Sequence, residues 1–337
     1  MKDKNILVGI AYNEYDPLTT RKLERASEES VEQTAKEVLT AVTELGYTAF
    51  ILPLHKSFMS FLNRLRVLNA DIIINLCEAF AGHPQLESNV ASAFELLGVA
   101  FTGNDSRTLA LCLNKFKTKA VLKSYGLPTA PSKLVDSLDQ KVDIPFPVIV
   151  KPNNEDASLG VHPESVVHDQ ETLQKQVQRI LEVYEQPALI EAFIEGREFN
   201  VAILDNTKAE ALPVSEIDFT QMPEGQAKIC SYEAKWLTDD VLYTSTPPVC
   251  PAQIDEALKT KLQEMAVKAF FACECRDYAR VDFRMDKKGK IYVLEVNPNP
   301  DISLNAGYAR ALAAAGLDYK YFWQQLIKKA LARKAKK

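Results

Sequence analysis

No stretch of the 337-residue sequence approaches the ~18 consecutive apolar residues of a membrane-spanning helix, so no membrane partner is expected. The apolar run within the opening MKDKNILVGIAYNEY is too short for a signal peptide, and the chain reads as cytoplasmic. A basic excess is also missing. Forty Lys+Arg stand against 45 Asp+Glu, a formal charge of −5, which argues against a nucleic-acid partner because little is left to neutralise a run of phosphates. The six cysteines (77, 112, 230, 250, 273, 275) have neither a disulfide nor a zinc spacing and read as reduced thiols. The four histidines (55, 83, 162, 168) are scattered, and no Ser-His-Asp or Cys-His arrangement stands out. No G-x-G-x-x-G follows the first strand, so an ordinary dinucleotide fold has no support.

What is present is ample apolar material, 47% of residues, enough to offset chain entropy and exclude disorder. The pattern predicts strands at 5–11, 49–54, 71–76 and 100–102, with helices at 30–45 and 86–97 between them, the order of parallel βαβ units. A helix over 114–125 ends at Gly126, and the proline-rich 128–147 reads as a connector. Strands are expected at 147–152, 188–193, 199–205 and 209–212. Helices are expected at 171–184 and 252–272, and an irregular stretch from Thr220 to Pro251. Two helices follow at the end, and the closing KKALARKAKK reads as a solvated, frayed helix end with cations suited to a helix C-terminus.

The most informative segment is YARVDFRMDKKGKIYVLEVNPNP, 278–300, a hairpin turning at Asp286-Lys287-Lys288-Gly289. With a period of two, Val281 and Phe283 share one face, with Tyr292, Leu294 and Val296 beside them. Arg280, Asp282, Glu295 and Asn297 take the other face. A ladder without a register slip sets Arg280 opposite Glu295 and Asp282 beside Val293. Such a face can be an ordinary solvated one, with a single ion pair worth a few tenths of a kcal/mol. It can equally be a Mg²⁺ site, since Asp282, Glu295 and Asn297 supply hard oxygens and Arg280 can neutralise an oxyanion.

R-x-D-F, a turn and E-x-N-x-x-P resemble the metal-binding end of the ATP-grasp superfamily, and more closely that of D-alanine–D-alanine ligases. Further matches follow in order: Leu96–Gly103 (LLGVAFTG), Asn114–Lys119 (NKFKTK), Tyr125–Thr129 (YGLPT), Val148–Pro152 (VIVKP) and Glu191–Glu198 (EAFIEGRE). The resemblance implies an α/β ATP-grasp fold with α+β lobes. Residues 1–112 would form an N-terminal Rossmann-like preATP-grasp domain, 113–195 a central lid subdomain and 196–337 the catalytic, metal-binding subdomain. It also implies the site. Lys115 and Lys151 would hold the α- and β-phosphates, and Asn153–Gly160, with Ser158, the mobile phosphate loop. Glu191, Ala192, Phe193 and Ile194 would form an adenine hinge, with Glu198 on the ribose. Lys235 would lie near the γ-phosphate, Asp282, Glu295 and Asn297 on two Mg²⁺ ions, and Arg280 on the tetrahedral intermediate. His162 would lie near the phosphates, and an acidic Asp156 there is unfavourable unless it points away or toward metal. The family likeness carries a homodimer as an expectation.

The departures fall at the substrate end. After the first strand, Ala11–Asp16 (AYNEYD) lacks the family's glycine-rich motif and its glutamate. Ala157 and Trp236 replace the serine and tyrosine that work with that glutamate. Asp301 stands where the family has glycine, and Ser303 follows it. The expected function is an ATP-dependent carboxylate–amine ligase with an acyl-phosphate intermediate, acting on small amino-acid-like or specialised-metabolite substrates. The alternatives are a cell-wall D-alanine–D-alanine ligase and an ATP-binding protein without ligase activity.

Overall fold

The computed structural model describes residues 6–15, 25–205 and 208–334. Asn5, the expected first residue of the opening strand, and Asp16 lie outside them. Strands β1 (Leu7–Asn13), β2 (Thr48–Leu54), β3 (Ile72–Leu76) and β4 (Ala100–Phe101) form a parallel sheet in the order β2-β1-β3-β4. The helices of this part are α1 (Arg25–Glu44), α2 (Phe58–Leu68), α3 (Glu87–Leu96) and α4 (Ser106–Leu113). The strands are apolar on both faces, apart from Asn13, Thr48 and Asn75, because each face enters a different core. Val8, Ile10 and Ile74 pack against α1 and the C-terminal helix, while Ala11, Leu52 and Ile73 pack with Phe61 of α2 and Phe94 of α3.

Helix α2 was not expected from the pattern, and its composition explains why. Of its 11 residues only Phe61 and Leu65 are buried, so its apolar periodicity is thin. Its ends are local: Ser57 caps the N-terminus, and Asn69 closes it in the left-handed region (φ +46°).

The second layer holds α5 (Lys115–Ser124), β5 (Ser132–Val135), β6 (Val148–Pro152), β7 (Val166–Val167), α6 (Gln170–Val183) and β8 (Ala188–Ala192). Its sheet is antiparallel, in the order β5-β8-β6-β7. The proline-rich stretch is therefore no mere connector, since its proline-free centre forms the edge strand β5.

The third part has β9 (Gly196–Asp205), β10 (Ala209–Ala211), β11 (Ser215–Ile217), β12 (Pro248–Val249), β13 (Tyr278–Asp286) and β14 (Ile291–Asn297). The strand order is β12-β11-β9-β13-β14, with β10 also on β9. The helices are α7 (Tyr232–Trp236), α8 (Val241–Thr244), α9 (Glu256–Ala272), α10 (Gly307–Ala314) and α11 (Tyr319–Lys334). One sheet face buries Phe199, Val201, Val281, Phe283 and Val293 against Leu262, Ala266 and Phe270 of α9. The opposite face carries Glu198, Asn200, Arg280, Asp282 and Arg284 at the cleft and turns apolar at Ala202, Leu204 and Tyr278, which join the core with the parallel sheet. The final basic run is more than a frayed end: Lys329 pairs with Asp205, and Arg333 pairs with the fully buried Asp277 and donates to Phe101 O.

The hairpin departs from the expected register. Val281 pairs with Val296, Asp282 with Glu295 and Phe283 with Val293, so Leu294 is the extra residue of a bulge. Asp282, not Arg280, therefore faces Glu295, and Arg280 faces Asn297. The extra residue also inverts the parity of β14. Ile291 and Val293 enter the core, while Tyr292 and Leu294 turn to the cleft. A lysine holds the bulge in place: Lys119 Nζ donates to Leu294 O at 2.8 Å.

Candidate active site

A cleft of about 670 Å³ lies between the two antiparallel sheets. Its middle is a lattice of buried charge. Lys151, at the end of β6, reaches Glu191 Oε2 at 2.5 Å, and Lys119 reaches the other oxygen of the same carboxylate at 2.7 Å. Glu191 is 1% exposed. Burial alone would raise its carboxyl, but Lys119 and Lys151 outweigh that and hold it below the usual range. Lys115, on the first turn of α5, donates to Glu155 O (2.5 Å) and lies 3.2 Å from Asp156 and 3.3 Å from Glu295. Burial would lower this ammonium, yet Glu295 and Asp156 hold it above the ordinary lysine value. Asp156 thus points at a lysine. Burial nonetheless keeps its carboxyl raised, with Lys115 pulling the other way.

The polar hairpin face is buried rather than solvated. Arg280 forks onto Asp282 with Nε–Oδ1 2.8 Å and Nη2–Oδ2 2.7 Å, so the ion pair runs along one strand and not across to Glu295. Asn200 of β9 donates to Asp282 Oδ1 at 3.0 Å. Glu295 sits well below the usual carboxylate range: burial opposes this, and Lys115, Lys151 and Arg280 overcome it. Asn297 Oδ1 accepts from Asn299 N. The donor set of two carboxylates and an amide contains only hard oxygens and fits Mg²⁺. Among the described residues no three Asp, Glu, His or Cys side chains gather about one point, so a cation here would also need substrate oxygens and water.

At the far end lies the hinge. Ala192 N donates to Pro131 O and Phe193 N to Pro147 O, so these two amides are occupied within the protein. The Glu191 side chain belongs to the lysine lattice. Gly196 follows as the one residue type that fits: a Cβ there would come within 2.0 Å of Met285 O. Glu198 is ion-paired to Arg284 at 3.0 Å. Burial raises its carboxyl, with Arg284 working against the rise and Asp282 adding to it.

Residues 153–160, expected as a phosphate loop, are tied to α7 and the residues before it. Ala157 and Ser158 both have positive φ (+54° and +62°), a conformation that non-glycine residues keep only when surroundings hold them. Trp236 Nε1 donates to Ala157 O (2.8 Å), Ser158 Oγ to Cys230 O (2.9 Å), and Tyr232 N to Val161 O (2.8 Å). His162 contacts Glu233 at 2.5 Å and is not among the residues lining the cleft. Lys235 and Trp236 line both this cleft and a smaller cavity of about 70 Å³ under the parallel sheet. That cavity is walled by Asn13, Glu78, Glu87, Asn297, Asn299 and Asp301, among others. Glu87 is 4% exposed and accepts from Asn299 Nδ2 at 2.9 Å; burial, then Asp156, pushes its carboxyl far up. Asp301 faces both cavities, whereas Ser303 lines neither and donates its backbone N–H to Asp301.

Comparison with known proteins places the chain. Residues 116–328 match the family model described as "D-ala D-ala ligase C-terminus", more than half of the chain. The chain belongs to the D-alanine–D-alanine ligase family. Members are C–N-bond-forming ligases of the ATP-grasp fold, as the α/β layers here are. The chain is 34% identical over 291 residues to an uncharacterised protein of Sinorhizobium fredii, covering 85% of this chain and 83% of that one. It is 31% identical to the D-alanine–D-alanine ligase of Aquifex aeolicus, covering 88% and 94%. The fold matches the Bacillus anthracis D-alanine–D-alanine ligase complexed with ATP, at TM-score 0.75 and 20% identity over 98% and 99% of the two chains.

Within this ligase family frame, Lys115, Lys151, Ser158, Glu191–Ile194, Glu198, Lys235, Arg280, Asp282 and Glu295 all line one cleft. Asn297 opens on the smaller cavity. Lys119 and Arg284 escaped the sequence reading. Lys119 lies inside the quoted NKFKTK, one helical turn after Lys115. Arg284 continues the alternation Arg280, Asp282 by one more step, and that period was the available signal.

Proposed function

We propose that the chain is an ATP-dependent carboxylate–amine ligase that works through an acyl phosphate and does not make D-alanyl-D-alanine. The observation that carries this is the convergence of Lys115, Lys151 and Arg280 with Asp282 and Glu295 in one cleft. Three buried lysines, Lys115, Lys119 and Lys151, and the partly buried Arg280, fixed by Glu191, Asp282 and Glu295, form a preorganised seat for a polyanion. ATP is the polyanion known from the Bacillus anthracis ligase.

In this reading the Glu198 end takes the nucleoside, and Lys115 and Lys151 hold the phosphates. Asp282, Glu295 and Asn297 would hold Mg²⁺, which supplies charge neutralisation on the transferring phosphoryl oxygens. A carboxylate oxygen of the first substrate bonds to the γ-phosphorus as the bond to ADP breaks. The nitrogen of the amine substrate then bonds to the acyl carbon, phosphate leaves with the C–O electron pair, and the nitrogen loses a proton. Arg280 would neutralise the developing oxyanion, and the chain otherwise contributes positioning. Ala157, Trp236 and Asp301 rewrite the substrate end, which supports a substrate pair other than two D-alanines.

An ADP-release screen over amino acids and dipeptides tests the proposal. Turnover is expected with at least one carboxylate–amine pair. Robust turnover with D-alanine alone would sink the substrate claim, and Mg-ATP binding without substrate-dependent ADP release would sink the ligase claim.

A further inference from the structure

We propose that Arg284 is a positioning residue for the nucleotide, fixing the Glu198 carboxylate and the Ile194 carbonyl in a single arrangement at the base end of the cleft. The inference rests on the nucleotide reading above and adds a residue to it. Arg284 is 4% exposed, yet it lines the cleft. Its three nitrogens reach three separate segments: Nε donates to Ile194 O at 3.0 Å, Nη1 to Glu198 Oε2 at 3.0 Å and Nη2 to Lys228 O at 2.9 Å. The guanidinium lies 5.4 Å from the Phe193 ring centroid and 5.7 Å from that of Phe219. A planar fork between two rings has little rotational freedom left, so the groups it holds are held in fixed directions.

Three consequences follow. Glu198 Oε2 is occupied, and Oε1 makes no hydrogen bond among the described residues, leaving one ionic acceptor for a diol. The Ile194 carbonyl is likewise oriented by the Arg284 Nε–H while keeping its second lone pair at the base end. Lys228 belongs to the segment that runs on to Cys230, Lys235 and Trp236, so the same guanidinium ties the base end to the strap over the phosphate loop. Strand β13 would bury an apolar residue at this position at lower desolvation cost, and a buried ion pair is weak evidence for stability. The arginine is therefore explained by what it orients.

Calorimetric binding of Mg²⁺·ADP and, separately, of inorganic tripolyphosphate tests this on the wild type, Arg284→Met, Arg284→Lys, Glu198→Gln and the Arg284→Met/Glu198→Gln double variant. Arg284→Met should weaken ADP roughly tenfold to a hundredfold, the loss of an ordered charged acceptor, while tripolyphosphate binding stays unchanged. Lysine should restore part of the affinity. The double variant removes the uncompensated buried carboxylate, so it keeps the test readable should Arg284→Met fold poorly. It should be no weaker than the worse single variant, as expected for two residues acting as one unit. Equal ADP affinity in wild type and Arg284→Met overturns the proposal, as does a parallel fall in ADP and tripolyphosphate binding. A wild type that binds no ADP overturns the nucleotide reading itself.

Discussion

The lysine-lined cleft and the smaller cavity beside it share Asp156, Lys235 and Asp301 but are built on opposite electrostatic plans. In the first, Lys115, Lys119, Lys151 and Arg280 interleave with Glu191, Asp282 and Glu295, and the lysine-paired carboxyls of Glu191 and Glu295 sit low. In the second, Glu78, Glu87, Asp156 and Asp301 face one lining cation among the described residues, Lys235, and the Glu87 carboxyl sits high, as does that of Asp156 despite its pairing with Lys115. A lattice of paired charges is ready for an anion. An acid-rich wall short of cations suits an amine. In the proposed ligase reading, the two halves of the reaction would meet across Asp156 and Asp301, which line both cavities.

The largest expected break of this contrast is at Lys151. Lys151→Met should lower kcat/KM for ADP release by roughly a hundredfold to a thousandfold, the usual loss for a preorganised electrostatic contact to transferring charge. The same change in a purely structural lysine would show in melting and leave turnover nearly intact. Lys119 sharpens the comparison from the folding side. Lys119→Met leaves Glu191 with one cation and Leu294 O without its donor, and should destabilise the fold by about 3–5 kcal/mol in denaturant midpoints. A shift below about 0.5 kcal/mol, the level of ordinary surface substitutions, would remove Lys119 from the lattice.

pH separates the two regions by sign. Glu191 is depressed in the fold, so its contribution is present above the ordinary carboxylate value of about 4.3 and is lost as pH falls through its folded value. Glu191→Gln should therefore melt lower than wild type at neutral pH, with the gap closing in acid. Glu87 is raised, so its contribution is present below the ordinary value and is lost as pH climbs through its folded value. Glu87→Gln should match wild type in acid and melt higher at alkaline pH. Melting curves across pH check both, and the same sign in both variants would contradict the contrast. The smallest effect is expected at Trp236→Phe, which removes one hydrogen bond, to Ala157 O, worth about 1 kcal/mol. Substrate KM should rise a few fold with the melting temperature nearly fixed. An unchanged KM would detach the indole from the strap.

The charged cleft was legible because its side chains lie on regular elements with short periods. Lys115 opens a helix, Lys151 ends a strand, and Arg280 and Asp282 alternate on another. The register between β13 and β14 was not legible. A bulge has no strong sequence sign, and here Lys119, 175 residues before Leu294, binds its carbonyl. That one residue decides whether Asp282 or Arg280 faces Glu295. Helix α2 was missed for the opposite reason, a weak apolar face anchored by two residues. The substrate side was readable only as a set of departures from the family: Trp236 bonding to Ala157 O replaces side-chain chemistry with a backbone contact, which no motif encodes.

The central claim is that the cleft activates a carboxylate by phosphoryl transfer, and oxygen-18 follows that transfer directly. With a carboxylate labelled in both oxygens, in the pair that turns over in the ADP-release screen, the phosphate released is predicted to carry one labelled oxygen. Phosphate without label would contradict an acyl-phosphate route and leave the lysine lattice without the chemistry proposed for it.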